Sequence, residues 1–400
     1  MSSGNRIYLD NAATTWPKPA AVWDAMDRYN RSAGVAVGRG AYRMSVETQA
    51  SVDRCRSLAA ELLGAAAPDR IAFTFNCTDG LNLLIHGLVQ DGDHVVTSVL
   101  EHNSVLRPLT EIGRRRGIEV TFVDPDDRGI LDPISVLAAV RSNTRLVVLT
   151  HASNVTGALQ PIAEIGEALA AVDVFFVVDA AQTAGQFPVN HSDWAVDALC
   201  CAGHKGLLGP LGTGLVCLRP GLEEHLASQR QGGTATQSEL AEQPESMPSK
   251  LESGNHNAPG LIGLEAGLRY LRERGIDDVA RHERELTSRL LEGLSELETV
   301  SIHGSQNTDQ RLGIVSITHD LLEPEILSAL LDDEFGIQTR SGLHCAPATH
   351  RWLGTIETGG TLRISVGPFT TSDEIDTCVH AIASLTAPSR PGGHDATTRY

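Results

Sequence analysis

The sequence predicts an α/β fold: a large domain built on a mostly parallel sheet, with a smaller α+β domain after it. Short apolar runs alternate with helical patterns through the first half of the chain, the mark of strands joined by crossover helices. A polar excursion, Gln229–Pro259, rich in Gly, Pro, Ser and Gln, then breaks that rhythm. Two longer helical patterns follow it and open a region of shorter units that ends near Leu385.

Taken in order, Ile71–Phe75, His94–Val99, Ile118–Val123, Arg145–Thr150 and Val174–Asp179 read as strands, because each is a short apolar run of the kind a doubly covered parallel sheet buries. Leu81–Val89 and Ile162–Ala171 carry helical periodicity between them. The excursion is too long for a simple connector in a compact domain. Leu261–Arg274 and Asp277–Leu297 are the two helices beyond it. These divisions predict a large domain over 16–259, a small domain from 1–15 and 260–386, and a disordered tail, 387–400, with no apolar period. No internal repeat is present.

Four hundred residues, 41% of them hydrophobic, allow an ordinary packed core. No run approaches the ~18 consecutive apolar residues of a membrane span, and the first residues lack the charged and apolar regions of a signal peptide. The expected location is cytoplasmic. The net charge of −18 disfavours nucleic acid or an anionic membrane as partner. The seven cysteines are scattered and include no paired C-x-x-C, so neither a disulfide framework nor a metal site is expected.

Chemistry concentrates around Gly203-His204-Lys205-Gly206 and the strand end at Asp179, 26 residues earlier. An aldehyde cofactor such as pyridoxal 5'-phosphate needs an amine on a short Gly-flanked turn and a carboxylate that keeps its ring nitrogen protonated. Asp179 ends a buried run, so it emerges at the carboxyl end of a parallel strand, where open α/β sheets bind ligands. A lysine in a Gly-rich loop is otherwise simply solvated. Thr78-Asp79-Gly80 lies between a strand and a helix, where amide groups and the Thr78 hydroxyl suit a phosphate; a plain helix cap is the ordinary alternative. His102, also past a strand end, suits stacking on a ring, though a lone histidine usually serves as a structural hydrogen-bonder.

These stretches, with Tyr8–Thr15, Glu101–Ser104, Ser153–Gly157, Val178–Gln182 and Arg340–Cys345, resemble the cysteine desulfurases of the class V aminotransferase family, pyridoxal phosphate fold type I, and in particular group II desulfurases and selenocysteine lyases. The resemblance covers residues 7 to 386 and implies a large domain with a seven-stranded type of sheet. It makes Lys205 the Schiff-base lysine and Asp179 the partner of the ring nitrogen. His102 then stacks on the ring, Gln182 meets the phenolic oxygen, Asn154 contacts cofactor or substrate, and Thr78, Asp79 and His204 hold the phosphate. Arg363, helped by Arg340, grips the substrate carboxylate; a guanidinium fork suits that task. Cys345 takes the sulfur.

Two positions depart from the family pattern at the phosphate. Ala202 stands where a serine is usual, and Asn255 where relatives carry a threonine reaching the neighbouring subunit's phosphate. A third departure is Leu343-His344, where two histidines commonly precede the cysteine. Arg340, His344 and His350 suggest a positive setting that favours the Cys345 thiolate; the bland alternative is an inert buried thiol.

The resemblance implies an enzyme that converts L-cysteine, or L-selenocysteine, to alanine, works as a homodimer with the 229–259 excursion crossing to the partner, and passes sulfur to an acceptor protein, for iron–sulfur cluster assembly or another use. Other reactions on the same scaffold, a C–S lyase, a selenocysteine lyase or an epimerase, remain open, as does a non-catalytic sulfur carrier.

Overall fold

A computed structural model describes residues 6–386 except Arg39 and Ala235; the tail expected to be disordered, 387–400, lies outside the described residues. Seven strands form the main sheet, in the spatial order Ile71–Thr74, Gly214–Leu218, Ala198–Ala202, Phe175–Asp179, Thr144–Thr150, His94–Ser98 and Glu119–Val123. Only Gly214–Leu218 runs against its neighbours. All five strands expected from the apolar runs are present, with ends shifted by a residue or two. Ala198–Ala202 and Gly214–Leu218 are short, small-residue strands whose pattern alone did not separate them from the loops around Lys205.

Helices cover both faces of this sheet, because its inner strands are buried along nearly their whole length and their side chains must be sealed on each side; the edge strand Glu119–Val123 is partly exposed. One core joins Val147, Leu149, Phe176 and Val178 to the helices Arg43–Leu63 and Ala258–Arg274. The other joins Leu146, Val148 and Val177 to Cys77–Leu88 and Asn103–Arg116.

A second, antiparallel sheet takes the order Arg340–Gly342, Thr361–Ser365, Ile314–His319, Val300–His303. It packs a core of its own, in which Ile7 and Leu9 are buried with Leu290, Val315, Ile364 and Ile375. The N-terminal Ile7–Tyr8 pairs in parallel with Ile337–Gln338. The division expected at residue 260 falls inside the helix Ala258–Arg274. That helix buries Leu261, Leu264, Leu268 and Leu271 in the main sheet's core, since these residues recur at helical spacing and face Arg43–Leu63.

The excursion is mostly irregular but anchored. Glu252 accepts two hydrogen bonds from the Arg56 guanidinium, at 2.7 and 2.9 Å, and one from the Phe73 amide at 2.7 Å.

Candidate active site

Three adjacent parallel strands end on Thr150, Asp179 and Ala202, and the loops beyond them enclose a cavity of about 210 Å³. Parallel strands in register bring their last residues side by side: Thr150 lies opposite Asp179, and Asp179 opposite Cys200. Asp179 is buried. Its Oδ1 accepts the Ala181 amide at 2.9 Å and the Cys77 thiol at 3.3 Å.

Lys205 reaches the same cavity from the turn after Ala202. Gly203 is required there, since a Cβ would meet Thr213 Oγ1 at 2.2 Å. The Lys205 amine is surrounded by protein yet touches the cavity, and that burial lowers its pKa first of all. Arg363 and Arg340 push in the same direction, while Asp179 opposes them.

His102 caps the helix Asn103–Arg116: its Nδ1 accepts the Ser104 amide at 3.0 Å. A neutral ring with an accepting Nδ1 carries its proton on Nε2. Burial, followed by the Lys205 charge, lowers its pKa to about 4, so the ring is neutral at ordinary pH. Ser104 Oγ stands 2.7 Å from His102 Nδ1 and 2.7 Å from Thr78 Oγ1, linking the three side chains.

Thr78 is not the cap of its helix. Asn76 is: its Oδ1 accepts the Asp79 amide at 2.8 Å. Thr78 therefore sits in the first turn, where amides lack intrahelical acceptors, and both it and Cys77 line the cavity. Asp79 turns away, its Oδ2 accepting the Phe75 amide at 2.9 Å and pairing with Arg230 at 3.3 Å, so its side chain is not among the cavity's walls. His204 lines the cavity with its Nδ1 lacking any partner and its pKa lowered to about 4 by burial and the neighbouring Lys205 and Lys18. Gln182 lines it too, donating from Nε2 to the Ala12 carbonyl at 3.2 Å.

Arg363, on the central Thr361–Ser365 strand of the second sheet, enters from the opposite side and is 1% exposed. Its Nη2 donates to Asp10 Oδ1 at 2.7 Å and its Nη1 to the Asn154 carbonyl at 3.0 Å; Nε has no partner. Asn154 in turn donates from Nδ2 to the His344 carbonyl at 2.6 Å. Residues from both sheets thus meet at one cavity.

Cys345 is exposed and lies at the cavity's outer edge, in a groove shared with Thr78, His102 and Ser104. Its loop is held in an unusual shape: Gly342, His344 and Cys345 have φ of 103°, 48° and 59°. Arg340 lines the inner cavity and donates to Cys345 Sγ at 3.7 Å, so it touches both compartments. The positive setting expected from three residues comes from Arg340 alone. His344 and His350 are both buried, which lowers their pKa values to about 2 and about 4 and leaves them uncharged.

Asn255 does not reach this cavity within its own chain; it lines a separate small cavity with Phe73, Phe75 and Arg230. Two residues that the sequence reading passed over, Cys77 and Ser104, hold Asp179 and His102 in place. Both are neighbours of residues it selected, so adjacency to a strand end was the available signal.

The class-V aminotransferase profile matches residues 7–378. A probable cysteine desulfurase of Methanothermobacter thermautotrophicus is 35% identical over 93% of this chain and 92% of its own length, and a cysteine desulfurase of Haloferax volcanii 30% identical over 94% and 88%. Among solved structures, an apo cysteine desulfurase from Thermococcus onnurineus NA1 superposes with a TM-score of 0.89 at 33% identity, covering 95% of this chain and 94% of that one. A cysteine desulfurase from Escherichia coli in an S-sulfonic acid form gives 0.84 at 26% identity, over 95% and 94%. None of the described helices is long and apolar enough to cross a membrane.

Proposed function

Because the chain belongs to the class-V aminotransferase family, we propose that it is a cysteine desulfurase: L-cysteine and the Cys345 thiol give L-alanine and a Cys345 persulfide. The balance needs no outside oxidant, since the sulfur atom inserts between Cys345 Sγ and its proton. The observation that carries this reading is that Lys205, Asp179 and Arg363 share one cavity whose mouth holds an exposed thiol beside an arginine.

The donor set supports pyridoxal phosphate as the cofactor. A first-turn pair of amides at Cys77 and Thr78, the Thr78 hydroxyl and the unpartnered His204 Nδ1 make an anion cradle. A buried carboxylate, Asp179, and a lysine with lowered pKa line the same cavity, matching the ring nitrogen and the aldehyde. When bound, this cofactor supplies an aldehyde for the substrate amine and a ring that withdraws electrons from Cα.

Each remaining role belongs to the protein. Lys205 would hold the cofactor's aldehyde, and its lowered pKa favours the neutral amine needed to accept the substrate Cα proton. Asp179 would hold the ring-nitrogen proton, and Cys77 and the Ala181 amide fix its Oδ1. His102 is a neutral, aromatic face for the ring, and Gln182 a donor for its phenolic oxygen. Arg363 offers Nε and its unused N–H groups to the substrate carboxylate, with Asn154 and Arg340 at its sides. Arg340 stabilises negative charge on Cys345 Sγ as the thiolate attacks sulfur.

The test is product identity. Incubation of the cofactor-loaded protein with L-cysteine and a reductant should yield alanine and sulfide, and mass spectrometry before reduction should find one added sulfur on the Cys345 peptide. Cys345→Ser should keep the cofactor's visible band and yet form almost no alanine. Pyruvate and ammonia in place of alanine would mark β-elimination and replace this reading with a C–S lyase.

A further inference from the structure

The chain carries an excess of 18 acidic charges, yet the arginines in contact with Cys345 or lining its groove form no ion pair among the described residues. Arg107 shares the outer groove with Cys345, Arg340 donates to its sulfur, and Arg351 lies six residues further on. None of the three is in an ion pair among the described residues, whereas most exposed arginines elsewhere are, as at Arg31, Arg114, Arg141, Arg281 and Arg289. Glu111, the acid in that groove, is already paired by Arg114 and Arg115. Asp124 is the other acid close by, beside Arg351.

The Cys345 loop separates two surface hollows. It rests on the chain that leads into the Asn103–Arg116 helix, for the Asn103 amide donates to the Cys345 carbonyl at 2.7 Å and Thr349 Oγ1 to the Val99 carbonyl at 3.0 Å. On one side lies the groove with Arg107. On the other, Val99, Ala348, Trp352 and an exposed Phe122, 46% accessible, form an apolar seat edged by Arg351. Arg107 in the groove with the thiol, and Arg351 with an exposed aromatic ring in the hollow beyond the Cys345 loop, make a docking rim with a sign.

We propose that this rim receives an acidic protein segment bearing a thiol, and that Arg107 and Arg351 steer it to the Cys345 persulfide. The inference rests on the desulfurase reading. In the transfer, the incoming thiolate attacks the outer sulfur of Cys345; a new S–S bond forms, the old one breaks, and Cys345 leaves as a thiolate that regains the proton. Both attacking and leaving sulfurs are anionic, so the positive rim favours approach as well as departure. Steering of this kind acts on the association rate and is screened by salt, since the Debye length shrinks from about 10 Å at 0.1 M to about 3 Å at 1 M.

The experiment uses the cofactor-loaded full chain, L-cysteine, and two synthetic acceptor peptides with one cysteine each, one flanked by glutamates and one by lysines, with dithiothreitol as an uncharged acceptor. Persulfide on each peptide is followed by mass spectrometry. The glutamate peptide should be loaded roughly ten times faster than the lysine peptide at low salt, and the ratio should fall towards one at 1 M salt. Arg107→Glu with Arg351→Glu should abolish or reverse the preference, while alanine formation with dithiothreitol stays within about two-fold of wild type.

Equal rates for the two peptides in the wild type overturn the proposal, including the case in which a second copy of the chain covers the rim. An unchanged preference in the double variant also overturns it. Failure to load Cys345 with sulfur at all, seen with dithiothreitol as acceptor, instead overturns the desulfurase reading beneath it.

Discussion

The floor of the cavity and its rim are built on opposite terms. At the floor, Asp179, Lys205 and Arg363 sit on strand ends, a Gly-fixed turn and a central strand, all ringed by hydrogen bonds and packed side chains. At the rim, Cys345 stands exposed on a loop that holds two non-glycine residues at positive φ, its carbonyls accepting from the Asn103 amide and the Asn154 side chain while the His344 ring meets Thr361. The difference follows from the task. Groups that hold a cofactor gain from rigidity, whereas a thiol that takes an atom inside and gives it away outside must face both compartments. Arg340, which lines the inner cavity and touches the thiol, is the hinge between the two.

The sharpest way to break this contrast is at the floor. Lys205→Ala removes covalent attachment and proton transfer together, so alanine formation should fall by about 10³-fold or more, with the cofactor held only noncovalently and its visible band shifted. Near-normal turnover would end the assignment. Arg363→Lys comes next: it keeps a charge but loses the fork that engages Asp10 and the Asn154 carbonyl, so kcat/KM should drop by about 10- to 100-fold, mostly through KM.

The rim should answer differently. Gly342→Ala places a Cβ in open space but at φ 103°, a strained geometry costing about 1–3 kcal/mol. The expected result is a few-fold loss of alanine formation with the cofactor band and its affinity unchanged. If cofactor affinity falls as well, floor and rim are less independent than the geometry says.

The smallest effect is a pH slope beneath the floor. Glu101 is fully buried, its Oε1 accepting from Ser98 Oγ at 2.6 Å and the Thr150 amide at 3.0 Å, and burial pushes its carboxyl up to about 8. The folded chain then keeps a proton that the unfolded chain gives up near the ordinary carboxylate pKa. Stability from this group is present at low pH and is lost as pH rises towards 8. Glu101→Gln cannot ionise, so relative to wild type its free energy of unfolding should improve between pH 5 and pH 8, by an amount on the order of 1–3 kcal/mol. A constant difference across that range would show that Glu101 is ionised in the folded chain.

Much of this was legible in the chain itself. Continuous apolar runs declared the buried strands of the main sheet, since only a doubly covered sheet buries both faces of a strand. Because strand ends carry the ligand in such sheets, Asp179, Thr78 and His102 could be placed near one another before any coordinates. Local sequence also misled: Thr78 resembled a cap, but Asn76 two residues earlier takes that role, and residue 260 resembled a boundary, although Leu261 to Leu271 belong to the main core.

What the sequence determined by itself was the set of reactive groups and the strand ends that carry most of them, because hydrophobic period and residue chemistry are local properties. The tertiary structure alone decided their company. Arg363 and Asp10, 353 positions apart, become an ion pair only when the second sheet closes on the first cavity. His344 and His350 beside Cys345 read as sources of positive charge until burial is known, and desolvation then keeps them neutral. Charge in a folded chain depends on how much water and how many partners a group retains, and those are set by contacts between distant segments.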